Sequence, residues 1–140
     1  MAIKPYTSID KIKIVHTLLP QSVTADATGI TVDTNGYDSV GLCLTVGTIA
    51  TADVDNTLAV VWQEDDASDM GTAATVTAMT AIQGTLTNPI VATTGDEVTY
   101  TWDYKGGKRY LRCNIDITDT VEGLFSAYVI LGHPKKAPVS

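Results

Sequence analysis

The sequence predicts an all-β protein built as a two-sheet antiparallel sandwich of the jelly-roll type. Three observations support this prediction. Threonine, valine, alanine and isoleucine recur throughout, while charged residues make up only 18% of the chain, a composition that suits pleated, half-buried strands. Hydrophobic and polar residues alternate with a period of two in several runs, and turn residues separate these runs at short intervals. No alternation of strands with long amphipathic helices is visible, so packed antiparallel sheets are favoured over a parallel α/β fold.

The first third of the chain carries short predicted strands. Residues 12–18, 23–25 and 30–33 are each bounded by a turn or strand-ending signal, namely Pro20, Gly29 or Asn35-Gly36. A longer run follows, in which alternate residues share one face and small or polar residues share the other. The predicted core face of that strand consists of Val40, Leu42, Leu44 and Val46.

The middle of the chain is predicted to contain one clear strand and a less regular region. Leu58, Val60 and Trp62 alternate before an acidic loop over residues 64–69. From residue 72 to residue 91 alanine and threonine dominate, and Asn88-Pro89 marks a turn. We expect strand and loop in this region.

Two further strands are predicted around a pair of glycines. Val98, Tyr100, Trp102 and Tyr104 occupy one face of the first strand, and Leu111, Cys113, Ile115 and Ile117 occupy one face of the second. Lys105-Gly106-Gly107-Lys108 lies between them. Paired glycines tolerate the positive φ angles of tight turns, so the sequence predicts a β-hairpin here.

The last predicted strand covers residues 125–131 and ends at Gly132. His133-Pro134 then begins a tail, because proline cannot continue a central strand. The 140 residues are of a length that forms one compact core. We therefore expect a single domain over residues 1–140, with extended arms at about 1–10 and 133–140.

Cysteine and aromatic residues fall within the predicted strands. Cys43 and Cys113 are interpreted as two small buried hydrophobes; the alternative is a disulfide between two sheets, which would favour an immunoglobulin-like topology. The aromatic residues that share a face with aliphatic neighbours are expected in the core, although with Tyr110 they could instead form a sugar-stacking platform. These residues are Trp62, Tyr100, Trp102 and Tyr104.

The charge of the chain is unevenly distributed. The formal net charge is −7, which argues against wrapping nucleic acid. No lysine or arginine occurs from Ile14 to Tyr104, and the basic residues fall near the start, in a late stretch and near the end. If the fold brings these three groups together, we expect an acidic body with a basic pole that docks on an acidic protein surface. The alternative is scattered, solvated charge.

Residues of the kind that perform catalysis are few. His16 and His133 have no nucleophile or carboxylate near them in sequence, and neither a phosphate-binding glycine loop nor a metalloprotease motif is present. The acidic segment at 64–69 does not have EF-hand spacing. We therefore expect a protein without enzymatic activity, metal or cofactor. A membrane span and a secretory signal are also not expected, which favours synthesis in the cytoplasm.

Four stretches resemble a known family. They are Tyr37-Asp38-Ser39-Val40; Trp62-Gln63-Glu64-Asp65-Asp66-Ala67-Ser68-Asp69; Gly106-Gly107-Lys108-Arg109-Tyr110-Leu111-Arg112; and Gly132-His133-Pro134-Lys135-Lys136-Ala137-Pro138-Val139. In combination the chain resembles the capsid cement proteins, also called head decoration proteins, of tailed bacteriophages.

The resemblance implies a jelly-roll type protein that binds the outer surface of an icosahedral phage head and stabilises contacts between subunits of the major capsid protein. It implies assembly in the host bacterial cytoplasm, location on the virion, and self-association as a dimer as a further possibility. The candidate capsid contacts are Lys11, Lys13, Lys108, Arg109, Arg112, Lys135 and Lys136. The rival interpretations are a tail, baseplate or spike component, and a carbohydrate-binding module.

Overall fold

The computed structural model describes residues 11–93 and 97–136, which contain ten β-strands. Their bounds are β1 Lys13–Val23, β2 Ala27–Thr28, β3 Val32–Asp33, β4 Tyr37–Ala50, β5 Thr57–Asp65, β6 Ala74–Thr75, β7 Met79–Gln83, β8 Val98–Tyr104, β9 Tyr110–Thr118 and β10 Glu122–Pro134. None of the described residues forms a helix that is long and apolar enough to cross a membrane.

The strands form two antiparallel sheets that pack face to face. The first sheet has the order β1-β10-β4-β8-β7, and the second has the order β2-β9-β5-β6, with β3 also paired to β9. The first strand thus lies beside the last, β2 and β3 lie beside β9, and β4 lies beside β8. This is the strand order of a jelly roll, extended by β7 at one edge. The predicted fold class is confirmed.

The core lies between the two sheets and follows the alternation in the sequence. Leu42 and Leu44 of β4 and Leu58 of β5 belong to this core, and all three are fully buried. Each such side chain contributes about 1.5–3 kcal/mol through its burial. Trp62 and Trp102 meet across the core with ring centroids 6.3 Å apart. The four aromatic residues that were expected in the core, Trp62, Tyr100, Trp102 and Tyr104, are all buried.

The predicted end of the first strand at Pro20 is wrong. β1 continues through Pro20 to Val23, so residues 23–25 do not form a separate strand. β1 is the edge strand of its sheet and its pairing with β10 is irregular between His16 and Gln21. Proline is tolerated at such a position because an edge strand needs hydrogen-bond donors on one side only.

The predicted hairpin at Lys105-Gly106-Gly107-Lys108 is also wrong. β8 belongs to the first sheet and β9 to the second, so this segment crosses from one sheet to the other. Neither Gly106 nor Gly107 has a positive φ angle. Gly106 instead permits a close approach, since a Cβ atom at this position would lie 2.6 Å from the Glu64 carboxylate.

The last strand is longer than predicted. β10 runs to Pro134, which pairs with Tyr37 at the start of β4. His133 and Pro134 are therefore part of the sheet rather than of a tail, and Lys135 N–H donates to the Gly36 carbonyl at 2.8 Å. Proline fits here because it is the final residue of the strand, and the pairing of β10 with β1 has already ended at Leu131. The predicted arm at 1–10, and residues 137–140 of the arm predicted at 133–140, lie outside the described residues.

Candidate functional site

All eight described basic residues lie at one end of the sandwich, which we call the lysine end. At this end β1 begins, β8 ends, β9 begins and β10 ends, as the pairs Lys13 with Leu131, Gly41 with Asp103 and Asp65 with Tyr110 require. The fold thus brings together the three basic groups that are separated in the sequence. The residues of the lysine end are Lys11, Lys13, Lys105, Lys108, Arg109, Arg112, Lys135 and Lys136.

Three of these basic side chains are already paired with carboxylates. Lys105 contacts Asp103 at 2.5 Å and Lys108 contacts Asp66 at 2.6 Å.

Arg109 donates two hydrogen bonds to Asp33, from Nε at 2.9 Å and from Nη2 at 2.8 Å. This two-pronged contact lowers the pKa of the Asp33 carboxyl below its ordinary value. The guanidinium of Arg109 also lies 5.0 Å from the centre of the Tyr110 ring. The Arg109 side chain is therefore held in place by Asp33 and Tyr110.

The other basic residues keep their charge available. Within residues 11–93 and 97–136, Lys11, Lys13, Lys135 and Lys136 form no ion pair. Arg112 donates to the neutral side-chain amide of Gln63 at 2.7 Å. Of the seven candidate contacts that the sequence predicted, these five have no ion pair with another described residue, whereas Lys108 and Arg109 are paired with Asp66 and Asp33.

The lysine end is mixed in charge rather than basic. Seven acidic residues share it with the eight basic ones: Asp33, Asp38, Glu64, Asp65, Asp66, Asp69 and Asp103. The opposite end, which we call the acid end, has no basic residue within the described part of the chain. Its acidic residues are Asp26, Asp53, Asp55, Glu97, Asp116, Asp119 and Glu122. The charge separation is therefore between a nearly neutral end and an acidic end, not between an acidic body and a basic pole as the sequence predicted.

The lysine end also contains a groove of about 310 Å³ beside the first sheet, lined by Lys11, Gly41, Asp103, Ile130 and His133, among others. His133 Nδ1 lies 2.9 Å from Ser39 Oγ in this groove. A catalytic serine needs a histidine whose other ring nitrogen is oriented by a third group. No carboxylate among the described residues is hydrogen-bonded to the ring, and Asp103 is paired with Lys105. Among the described residues the Ser39–His133 pair therefore lacks the third group of a catalytic triad.

The acidic segment after β5 is used to build its own loop. Asp65 is buried and accepts hydrogen bonds from the Ala67 and Thr72 main-chain N–H groups at 3.1 and 2.8 Å, and from the Thr72 hydroxyl. These hydrogen bonds lower the pKa of the Asp65 carboxyl, and the bond from the Ala67 N–H has the largest effect. No group of three histidine, cysteine, aspartate or glutamate residues in the described ranges is arranged to hold a metal ion.

One surface was missed by the interpretation of the sequence. Residues 70–93 contain no charged residue, and they cover the side of the sandwich where β6 and β7 end the two sheets. We call this surface the uncharged side. The corresponding signal in the sequence is the interval without charged residues between Asp69 and Asp96.

No protein-family model matches the chain, and no curated protein matches it.

Proposed function

We propose that the protein is a virion structural protein of a tailed bacteriophage, a cement protein that binds the outer surface of the icosahedral head. The observation that carries the proposal is the lysine end, where five basic residues that have no carboxylate partner among residues 11–93 and 97–136 converge from three separate parts of the chain. The resemblance of four sequence stretches to capsid cement proteins supports the same function. The partner is the major capsid protein, contacted through acidic groups on its outer surface.

The two ends of the molecule suit a directional attachment. The lysine ammonium groups that have no ion pair among the described residues attract an acidic surface, whereas the acid end is repelled by it, so the protein approaches with the lysine end forward. Lys135 and Lys136 follow directly on β10, and the Lys135 main chain is tied to Gly36. Their charges therefore stand on a fixed support, which lowers the entropy lost on docking.

The stabilising effect follows from mass action. A protein that binds only where neighbouring shell subunits are correctly placed favours the assembled shell over its separated parts. An interface of ordinary size buries about 1,600 Å², and contact with two subunits at once adds the gain from effective concentration. No chemical step is required.

The test is co-sedimentation with shells assembled from the major capsid protein. The variant Lys135→Gln/Lys136→Gln removes two free positive charges without breaking an ion pair between described residues. Its control, Thr48→Glu/Thr118→Glu, changes the net charge by the same amount at two exposed positions near the acid end. We expect the lysine variant to bind about tenfold more weakly and with a smaller dependence on salt, while the control binds as the wild type does. Wild-type protein that fails to sediment with shells would overturn the proposal.

Lys108 and Arg109 are unsuitable for this test although they were candidate contacts. Replacing them breaks the contacts with Asp66 and Asp33, so a loss of binding would have two explanations. A tail, baseplate or spike role is distinguished by binding to tail structures instead of shells. A carbohydrate-binding role is disfavoured because Trp62, Tyr100, Trp102 and Tyr104 are buried and cannot stack on a sugar.

A further inference from the structure

Both sheets end on the same side of the molecule. β6 is the last strand of the second sheet and β7 is the last strand of the first, and only residues 76–78 separate them. The chain then returns along this side. The Asn88 side-chain amide hydrogen-bonds in both directions with the main chain of Val60, at 2.9 and 2.7 Å, and Ile90 pairs with Leu58. One continuous segment thus forms the whole uncharged side.

The uncharged side differs in composition from the rest of the surface. It has no charged residue, although the chain contains 9 basic and 16 acidic residues. Four of the five residues of β7 are exposed, including Ile82 at 69%, and Val91 nearby is 37% exposed. Depletion of charge distinguishes the centre of protein interfaces from ordinary surface.

The edge strand β7 lacks most of the features that prevent an edge strand from pairing with a strand of another molecule. It contains neither lysine nor proline, and its one irregularity lies near its end, between Ala81 and Gln83. The opposite edge strand β1 carries Lys13 and Pro20 and has two irregularities in its pairing. An exposed, uncharged edge is a template for pairing with another strand.

The register shows which main-chain groups of β7 are directed outward. Lys105 N–H donates to the Ala78 carbonyl, so Ala78 and Thr80 direct their groups toward β8. Ala81, the next residue after Thr80, therefore directs its N–H and C=O away from β8, toward the open edge. No described strand occupies that side.

We propose that the uncharged side binds a second copy of this chain, with the two β7 strands pairing antiparallel about a two-fold axis at Ala81. Two molecules that each carry a net charge of −7 repel one another. This repulsion is weakest when they approach through a surface that has no charged residue. An identical strand is the natural partner of an antiparallel edge, because each copy supplies the donors and acceptors that the other needs. The product is one continuous sheet of ten strands with the Ile82 side chains near the axis.

The first experiment measures the oligomeric state of the isolated protein, without shells, by sedimentation equilibrium over a range of concentrations. We expect a dimer whose dissociation constant rises at least about tenfold in Ile82→Lys, because the change places two ammonium groups near the axis. The control Leu19→Lys makes the same change at an exposed apolar residue of β1, and it should remain dimeric. Urea unfolding of each variant verifies that it is folded.

The second experiment tests the register by cross-linking. Residues that face each other in a hydrogen-bonded antiparallel pair have Cα atoms about 5.5 Å apart, within the range of a disulfide. Ala81→Cys should therefore form a disulfide-linked dimer on mild oxidation, whereas Leu19→Cys should not; the native Cys43 and Cys113 are buried and free.

A wild-type protein that is monomeric at all concentrations, or a dimer that survives Ile82→Lys, would overturn the proposal. The proposal would also be overturned if the wild type is a monomer and Ile82→Lys weakens its binding to shells, because the uncharged side would then contact the shell.

Discussion

The Tyr104 hydroxyl donates a hydrogen bond to the Glu64 carboxylate at 2.5 Å and thereby links the two sheets, since Tyr104 ends β8 and Glu64 lies in β5. The same hydroxyl accepts the Lys108 main-chain N–H at 3.0 Å. Burial, together with the Glu64 carboxylate, raises the pKa of Tyr104, so it stays a donor. This contact fixes the segment that carries Lys105 to Arg109 across the lysine end.

Removing this hydroxyl should destabilise the fold. Tyr104→Phe leaves Glu64 without its donor and the Lys108 N–H without its acceptor, and we expect a loss of about 1–2 kcal/mol in the free energy of unfolding, measured by urea. Glu64→Gln keeps an acceptor for the tyrosine and should lose less. Equal urea midpoints for Tyr104→Phe and the wild type would contradict the linking role.

The difference between the predicted hairpin and the observed crossover shows where the sequence is informative. Alternation identified β4, β5, β8, β9 and β10 because each buries one face, and the side-chain period of a strand is a local property. Lys105-Gly106-Gly107-Lys108 looks the same whether the next strand joins its own sheet or the facing one. The observed crossover is accompanied by contacts between residues far apart in sequence, such as the Tyr104–Glu64 hydrogen bond between residues 40 positions apart. Such a contact has no local signature.

The site could be predicted in part for a similar reason. The segregation of basic residues along the chain was visible, and the fold brings them to one end. Which of them are free was not visible, because the partners of Lys108 and Arg109, Asp66 and Asp33, lie 42 and 76 residues away. The sequence therefore indicated the location of the charge but not its availability.

The stability of the protein should fall in acid because of Asp65. The pKa of the Asp65 carboxyl is lowered in the folded state from an ordinary value of 3.8. The hydrogen bonds of the carboxylate therefore contribute fully to the free energy of unfolding above about pH 5, and this contribution is lost as the pH falls through the folded-state pKa. Asp65→Asn should lower the urea midpoint at pH 7 and reduce the difference between the midpoints at pH 7 and pH 3. Asp116→Asn, an exposed change on β9, should keep the wild-type difference. An unchanged difference in Asp65→Asn would contradict this role.

The two cysteines should be unreactive in the folded protein. Burial raises the pKa of both thiols, and Cys43 and Cys113 lie on strands of different sheets as free cysteines. Since the thiolate is the reactive form, a thiol reagent at pH 8 should modify neither residue in native protein and both in urea. One fast-reacting thiol in the native state would mean that a strand opens locally. No reaction in urea without reductant would mean that the two are paired.

The two tryptophans should be shielded from a water-soluble quencher. Trp62 is 2% exposed and Trp102 is 8% exposed, and their rings contact each other inside the sandwich. We expect acrylamide to quench their fluorescence several-fold less efficiently in native protein than in urea, because the quencher reaches only exposed rings. Lowering the stability with Tyr104→Phe should leave native quenching low until the protein unfolds. Efficient quenching in the native state would mean that the tryptophans are exposed. It would then support the carbohydrate-binding alternative, which their burial disfavours.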